Sequence, residues 1–507
     1  MPKEKFYVTT SIVYANAKPH IGFALELAQA DAIARWQRLL GKDVYFLTGT
    51  DEHGIKIYNA AKEAGKDPQA FVDENAAAVR QLLEKLNISK TDFIRTTDRK
   101  RHWPAAQKMW ELLQNNGDVE RGHYAGYYSV TDEAYITKTE YESGEYAGKK
   151  VIELKEDNYL FKLDRYKQQL KNVIGRTLSI IPAHRAEETL NFLEAGPSEI
   201  SFSRPKDRLP WGIPVPGDDS QVMYVWCDAL TNYVSALGYP DDPDGKYKKY
   251  WPADLHVIGK DILRFHAIFW PAMLMGAKLA LPKEILVHGH ILAEGKKMSK
   301  SVGNVIDPIE LIDKWGADAV RYYLLREIPT TEDGDYSGTR FVEVYNSALA
   351  NDLGNLLSRT LAMAHQYLDG VVPTPTQSEI NISFAYEGLI KNQMDMFNLS
   401  RVLENIWERA VSWQNQYIDS TKPWQLAKDG DEKLKEVLYN LLENMRHLSI
   451  MLYPFLPETS DKICKQLGLE PINPDNFDFA KETEWGGLPA GHKLGQSEIL
   501  FPKQEDK

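Results

Sequence analysis

Two short stretches, far apart in a chain of 507 residues, carry side chains suited to handling phosphate: Pro19-His20-Ile21-Gly22-Phe23 and Lys297-Met298-Ser299-Lys300-Ser301. A histidine at the start of a helix can donate to phosphate oxygens while the aligned peptide dipoles favour an anion there. The adjacent Gly22 permits close backbone approach. Lys297 and Lys300 are mobile point charges that suit a developing pyrophosphate, and Lys300 is the expected transition-state contact. Between Gly295 and Gly303 small and polar residues dominate, as in a loop that closes on its ligand. Each stretch alone has a plainer reading, His20 as a capping histidine and the lysines as a solvated basic turn. It is their joint presence that points to a nucleotide.

The flanking sequence must position them. Lys5 to Thr10 is a β-prone run, followed by a polar stretch from Tyr14 to Lys18 and by Pro19 where a helix can begin. Apolar residues at Ile21, Leu25, Ala28, Ala32, Trp36, Leu39 and Leu40 have helical spacing, and Gly41 stops that helix. A second strand, Val44-Tyr45-Phe46-Leu47, runs into Thr48-Gly49-Thr50-Asp51-Glu52-His53-Gly54. Strand, helix and strand make one βαβ unit, and such units bind ligands at the carboxyl ends of their strands. Asp51, a carboxylate at a strand end, must be solvated or paired.

Composition narrows the class. The length implies about three domains. The chain is 43% hydrophobic and 26% charged, that of an ordinary globular protein, and no apolar run is long enough to cross a membrane. The start lacks an apolar signal core, so a cytoplasmic location is expected. Two cysteines, Cys227 and Cys464, exclude a disulfide scaffold and a Cys-rich zinc knuckle. A net charge of -12 argues against nonspecific polyanion binding over the whole surface while leaving room for a local basic track.

The fold class read from this pattern is α/β: a Rossmann-type parallel-sheet domain split by a β-rich insertion and followed by an all-α helix bundle. Residues 1–117 form the first half, with a helix starting at Asp67-Pro68. Residues 118–222, rich in Tyr, Gly and Thr, form the insertion. Residues 223–305 complete the sheet with runs at Val222 to Trp226, Leu255 to Gly259 and Ile285 to His288, and carry the lysine loop. Residues 306–340 form a linker region with a helix from Asp307-Pro308 to Gly316. Residues 341–507 form the bundle, with long periodic segments at Val342 to Leu368, Phe384 to Tyr417 and Lys433 to Met451, and a loosely packed tail after Glu484.

The two motifs resemble the ATP signatures of class I aminoacyl-tRNA synthetases. Five further blocks narrow the likeness: Thr10 to Asn16, Leu47 to Gly54, Tyr224 to Leu230, Ile258 to His266 and Phe269 to Ala272. Over nearly its whole length the chain resembles the methionyl-tRNA synthetase family. The resemblance implies a ligase that activates L-methionine with ATP and Mg²⁺, releases pyrophosphate, and transfers methionine to the 3′ end of tRNA(Met) for initiation and elongation. It implies methionine contacts at Ile12, Tyr14, Trp226, Ala229, Leu230, Tyr233, Ile262 and His266, with Asp51 holding the α-ammonium group. Tyr233 and His266 are the expected donors to the thioether sulfur, a weak acceptor. For ATP it implies Asn16, His20, Gly22, Gly259, Asp261, Lys297, Ser299 and Lys300. In the bundle it implies anticodon reading by Asn355 and Arg359, four apart on one helical face, and by Trp424. Single-stranded bases are read by stacking and by hydrogen bonds to their edges. The plainer role for Trp424 is a helix-packing anchor.

The chain departs from the family in two places. Phe23 stands where many class I enzymes have a second histidine, which removes one phosphate donor. The insertion lacks the cysteines with which many members bind zinc, so no zinc is expected, and Asn158 to Leu163 and Trp211 to Asp219 resemble the zinc-lacking subgroup. A leucyl, isoleucyl or valyl enzyme would share the ATP motifs but needs a longer editing insertion. A small-molecule nucleotidylyltransferase would not need the bundle. A catalytically silent RNA-binding relative is disfavoured by Asp51, Lys297 and Lys300. A monomer is expected, since no further dimerising domain is evident.

Overall fold

The computed structural model describes residues 3–129, 134–136, 141–144, 146–196, 198–298, 304–374 and 390–504. Strand β1 (Lys5–Tyr14) leads into helix α1 (Ile21–Leu39), and then follow β2 (Asp43–Asp51), α2 (Ile55–Glu63), α3 (Pro68–Lys85), β3 (Asp92–Arg95) and α4 (Trp103–Asn115). Helix α1 ends as its sequence dictates, with Gly41 in the left-handed region at φ +80. At Asp67 the side chain accepts the backbone N–H groups of Gln69 and Ala70 and so caps α3.

The middle of the chain supplies β4 (Val119–Ser129), β5 (Ala134–Ile136), β6 (Val151–Phe161), β7 (Ser179–Ile181), β8 (Ile200–Ser201), β9 (Ser203–Pro205), β10 (Pro214–Val215) and β11 (Asp218–Met223). The strand-helix rhythm resumes with α5 (Val225–Leu230), β12 (Leu255–Gly259), β13 (Glu284–His288), β14 (Ile291–Ala293), β15 (Lys296–Lys297) and, further on, β16 (Gly334–Tyr336).

The main sheet has the order β3-β2-β1-β12-β13-β7 and is parallel throughout. Its strands are apolar on both faces because helices cover both, which is why Val8, Phe46, Leu47, Val257 and Leu286 are all fully buried. The insertion builds an antiparallel sheet, β5-β4-β6-β8, and a smaller one, β10-β11-β9. Within the span 118–222, however, β7 returns to the main sheet as its sixth strand, paired with β13 through Ile180 and Ile285. Two helices, Lys167–Val173 and Ala183–Ala195, accompany it. A strand of three residues is too short to show a periodicity of its own.

Beyond the lysine loop the chain is helical, with α6 (Ala317–Arg326), α7 (Asn355–Leu368), α8 (Ser412–Thr421), α9 (Pro423–Asp429) and α10 (Lys433–Leu452) among its elements. The start of the expected Phe384 to Tyr417 segment lies outside the described residues. The tail after Glu484 is not loosely packed. Leu488, Leu500 and Phe501 are buried, and the carboxylate of Glu443 collects the backbone N–H groups of Gly486, Gly487 and Leu488. These anchors are set by single residues at irregular spacing, so no pattern in the sequence announces them.

One apolar core runs from α1 through α6 into the bundle. At its centre Arg321 of α6 is fully buried. Its guanidinium pairs with Asp31 of α1 at 2.7 Å and donates to the carbonyls of Phe455, Pro454 and Leu86. Asp31 is held down to a pKa of about 2, against the pull of its burial, by Arg35 first and Arg321 second. Replacing Arg321 by leucine strands three carbonyls, so Arg321→Leu should cost about 3 to 5 kcal/mol of stability. Urea unfolding monitored by tryptophan fluorescence measures it, and a loss under about 1 kcal/mol would contradict the role given to this contact.

Candidate active site

A cavity of about 590 Å³ opens at the carboxyl ends of β1, β2, β12 and β13. Its shape begins with an irregularity. The pairing of β1 with β2 shifts register between Thr9 and Ile12, and pairing with β12 ends at Thr10. Ser11, released from the ladder, gives its backbone N–H to Glu26 Oε1 at 2.7 Å and its hydroxyl to the same oxygen at 2.6 Å. The other oxygen of Glu26 faces His288 Nε2 at 3.0 Å. This buried carboxylate on α1 therefore ties the ends of β1 and β13 together.

His20 stands at the start of α1, where its Nδ1 accepts the backbone N–H of Gly22 at 3.1 Å. The ring hydrogen is then on Nε2, which leaves a donor for a ligand in the cavity. The cavity walls desolvate the ring and hold its pKa below the ordinary histidine value. Gly22 is required by the histidine itself, since a Cβ there would lie 2.9 Å from His20 Cε1. Phe23 is buried and lines the same corner. Gly259, Asp261 and Asn16 also line it, and Asp261 accepts from His290 Nε2 at 2.6 Å. In the lysine loop, the backbone of Lys297 lies in β15, paired with β14, and Met298 reaches the cavity. Ser299 and Lys300 lie outside the described residues.

The opposite end is apolar and neutral. Ile12, Tyr14, Trp226, Ala229, Leu230, Tyr233, Ile262 and His266 all line it, with Asp51, only 6% exposed, at the end of β2. Trp226 stacks on Phe265 with ring centroids 3.7 Å apart. His266 sits in a widened, π-type turn, Phe265–Phe269, of the kind that recurs at functional sites. Its Nδ1 lies 3.0 Å from the carbonyl of Ile262, which can only accept, so Nδ1 carries the hydrogen and Nε2 is an acceptor. Tyr233 therefore donates its hydroxyl hydrogen to Nε2, at 2.7 Å. Both hydrogens of the pair are committed within the protein. Burial lowers the pKa of His266 to about 4 and raises that of Tyr233, so the pair is neutral at physiological pH.

Some residues here escaped the motif reading. Asn232 lines the cavity with an Oδ1 that is buried and has no donor among the described residues. Glu26 and His288 were also missed, and a polar residue inside an apolar helical run was the available signal for Glu26 and Asn232. Conversely, of the carboxylates in the Thr48 to Gly54 block only Asp51 faces the cavity. Glu52 accepts from Arg95 and Thr50, while His53 and His102 both contact the buried Asp228 of α5, at 2.5 and 2.7 Å. Those groups lock α5, and with it Trp226, against the end of β2.

With this geometry in place, comparison with known proteins is decisive. The family model described as "tRNA synthetases class I (M)" matches residues 6–144 and 141–361, and "Anticodon binding domain of methionyl tRNA ligase" matches residues 379–507. The chain belongs to the methionyl-tRNA synthetase family. Among its relatives, a methionine–tRNA ligase of Clostridium perfringens is 45% identical over 99% of this chain and 78% of its own length. One of Brucella melitensis is 45% identical over 99% of this chain and 98% of its own. The solved Mycobacterium tuberculosis methionyl-tRNA synthetase in complex with methionyl-adenylate superposes with a TM-score of 0.92 at 39% identity, covering 98% of this chain and 100% of that one. Its apo form gives 0.85 at 36% identity, covering 100% and 99%.

In this synthetase the bundle displays the remaining sequence candidates. Asn355 is exposed at the start of α7, and Trp424 is 45% exposed in the first turn of α9. Arg359 is partly buried and pairs with Asp419 of α8 at 2.8 Å. Trp424 is thus one of the exposed large apolar side chains among the described residues.

The neutral state of His266 has a consequence for stability. Its folded pKa lies below the unfolded value near 6.5, so as pH falls from about 6.5 towards 4 the unfolded chain takes up the proton first and stability is lost. His266→Gln should flatten this fall, which urea midpoints at pH 7 and pH 5 would reveal; parallel losses in the variant and the wild type would rule it out.

Proposed function

We propose that this cavity carries out both steps of methionine–tRNA ligation, the activity to which family membership assigns the chain. The observation that carries the reading is one continuous cavity with a neutral aromatic end, a carboxylate at its middle and a helix-start histidine at its far end. Methionine's side chain lies between Trp226, Tyr233 and His266, whose uncharged groups suit an unbranched thioether. Asp51 receives the α-ammonium group, and the orphaned Oδ1 of Asn232 accepts a second hydrogen from it. ATP enters as its Mg²⁺ complex, with Asn16, Gly22, Gly259 and Asp261 on its nucleoside and phosphates and His20 Nε2 donating to a phosphate oxygen.

Methionine's carboxylate is ionised at neutral pH and needs no base. Its oxygen attacks the α-phosphorus in line, the bond to the β-phosphate oxygen breaks, and pyrophosphate leaves. His20, Lys297, Ser299 and Lys300 stabilise the charge that gathers on the phosphorus oxygens and the leaving group. The terminal ribose hydroxyl of tRNA(Met) then attacks the carbonyl carbon of methionyl-adenylate and AMP departs. Asn355, Arg359 and Trp424 read the anticodon, the exposed indole of Trp424 being supplied as a stacking face. We further propose a cytosolic monomer with a zinc-free insertion. Among the described residues no helix is long and apolar enough to span a membrane, and residues 118–222 contain no cysteine from which a thiolate zinc site could be made. Metal analysis of the purified protein tests the last point, one zinc per chain being the contrary result.

Exchange of labelled pyrophosphate into ATP should occur with methionine and with no other standard amino acid; absence of exchange would refute the reading. Lys300→Ala should slow that exchange by roughly 10² to 10³ with little change in methionine binding. A comparable fall in methionine affinity would remove Lys300 from the transition state. Trp424→Ala should impair aminoacylation and leave exchange nearly intact, whereas equal loss in both assays would show that the tryptophan supports the fold.

A further inference from the structure

Four residues close a ring at the carboxyl ends of β12 and β13. Lys260 and Asp261 open the turn after β12, His290 lies in the short link from β13 to β14, and Asp333 belongs to the linker just before β16. His290 donates from Nε2 to Asp261 Oδ2 at 2.6 Å, since a carboxylate only accepts. The backbone N–H of His290 goes to Asp333 Oδ1 at 2.8 Å, and its carbonyl accepts the N–H of Gly334 at 2.9 Å. Both oxygens of Asp333 lie 2.7 Å from Lys260 Nζ, which returns the ring to the residue next to Asp261. The linker passes so close that a Cβ on Gly289 would lie 2.3 Å from the carbonyl carbon of Glu332. Only glycine admits that approach.

Such a ring is poorly placed to stabilise the fold and well placed to orient a ligand group. The Asp261 side chain is 70% exposed, and an exposed ion pair contributes little to folding. Yet Gly259, Asp261, Gly289 and His290 all line the catalytic cavity, so the ring faces the ligand. An aspartate side chain turns about two torsions, and arresting it during binding costs entropy. A donor at 2.6 Å fixes one carboxylate oxygen in advance, and a carboxylate accepts several hydrogens, those of sugar hydroxyls among them. His290 is itself held through both of its backbone groups, so Asp333 and Gly334 of the linker set where the imidazole stands.

We propose that His290 is a positioning residue for ATP: it presets the Asp261 carboxylate for a ribose hydroxyl, and Asp333 of the linker sets His290. The proposal rests on the ligase reading, in which Asp261 meets the nucleoside. Selection of a ribonucleotide over its deoxy form then depends on two residues that act through Asp261, one of them in the linker outside the main sheet.

Methionine-dependent pyrophosphate exchange by the whole enzyme, run with ATP, 2′-deoxy-ATP and 3′-deoxy-ATP, tests this. Wild type should prefer ATP to at least one deoxy analogue by about tenfold or more in kcat/KM. His290→Ala should raise KM for ATP about tenfold with kcat within about twofold, and leave KM for that analogue within about twofold, so that the preference collapses. His290→Gln, whose side-chain amide can still donate to Asp261, should keep most of the preference. Asp333→Ala should lower it several-fold and add little to His290→Ala, since both act through one carboxylate. A preference unchanged in His290→Ala, or an equal loss with ATP and both analogues, would overturn the proposal by leaving the histidine a purely structural part. So would a glutamine variant no better than the alanine one, or a wild type indifferent to both hydroxyls. Absence of exchange in the wild type would instead bring down the ligase reading, and the proposal with it.

Discussion

The catalytic cavity exists because β1 leaves its ladder at Ser11 and a buried carboxylate takes over the hydrogen bond. Glu26 accepts both donors of Ser11 and faces His288, so one side chain on α1 fixes where the strands part. In a regular parallel sheet the carboxyl ends would close against each other through their ladders. Here the helix that begins at His20 also carries the residue that holds the sheet open, so His20 and the cleft wall are set by one rigid element. Everything else in the site is placed relative to that gap.

Within it, the two ends are electrically different for a physical reason. At the aromatic end desolvation keeps His266 and Tyr233 uncharged, and their hydrogens are committed to each other and to the Ile262 carbonyl. Such a surface accepts an apolar chain without an energetic conflict and offers little to a polar one. At the other end the start of α1 brings the positive end of its dipole to the cavity beside His20. Asp51 lines the same cavity with a buried carboxylate.

How much of this was legible depended on the kind of residue. Of the motif residues that line the cavity, His20 and Asp51 stood out by type and neighbours, whereas Trp226 was reached only through the family resemblance. The βαβ unit around α1 was visible from apolar spacing and from its glycine stop at Gly41. Glu26 and Asn232 were not visible, because each is one polar residue in an apolar helix and only the third dimension shows what it faces. The return of β7 to the main sheet and the anchoring of the tail by Glu443 were hidden for a similar reason: both depend on contacts between segments distant in sequence and on stretches too short for periodicity. His53 lies two residues from Asp51 in the same block, yet its ring serves Asp228 behind the wall.

The arginine that joins α1 to the bundle bears on how the chain is born. Arg321 finds its carbonyl partners at Pro454 and Phe455, the latter 134 residues further along. During synthesis the main sheet can assemble long before those acceptors leave the ribosome. Until they do, α6 must hold a charged guanidinium and a wide apolar flank without their cover, a state prone to association with other chains. The nascent enzyme is therefore most exposed to misassembly in the interval between completing its nucleotide-binding half and closing its last long helix, which makes that interval the natural point for a chaperone to act.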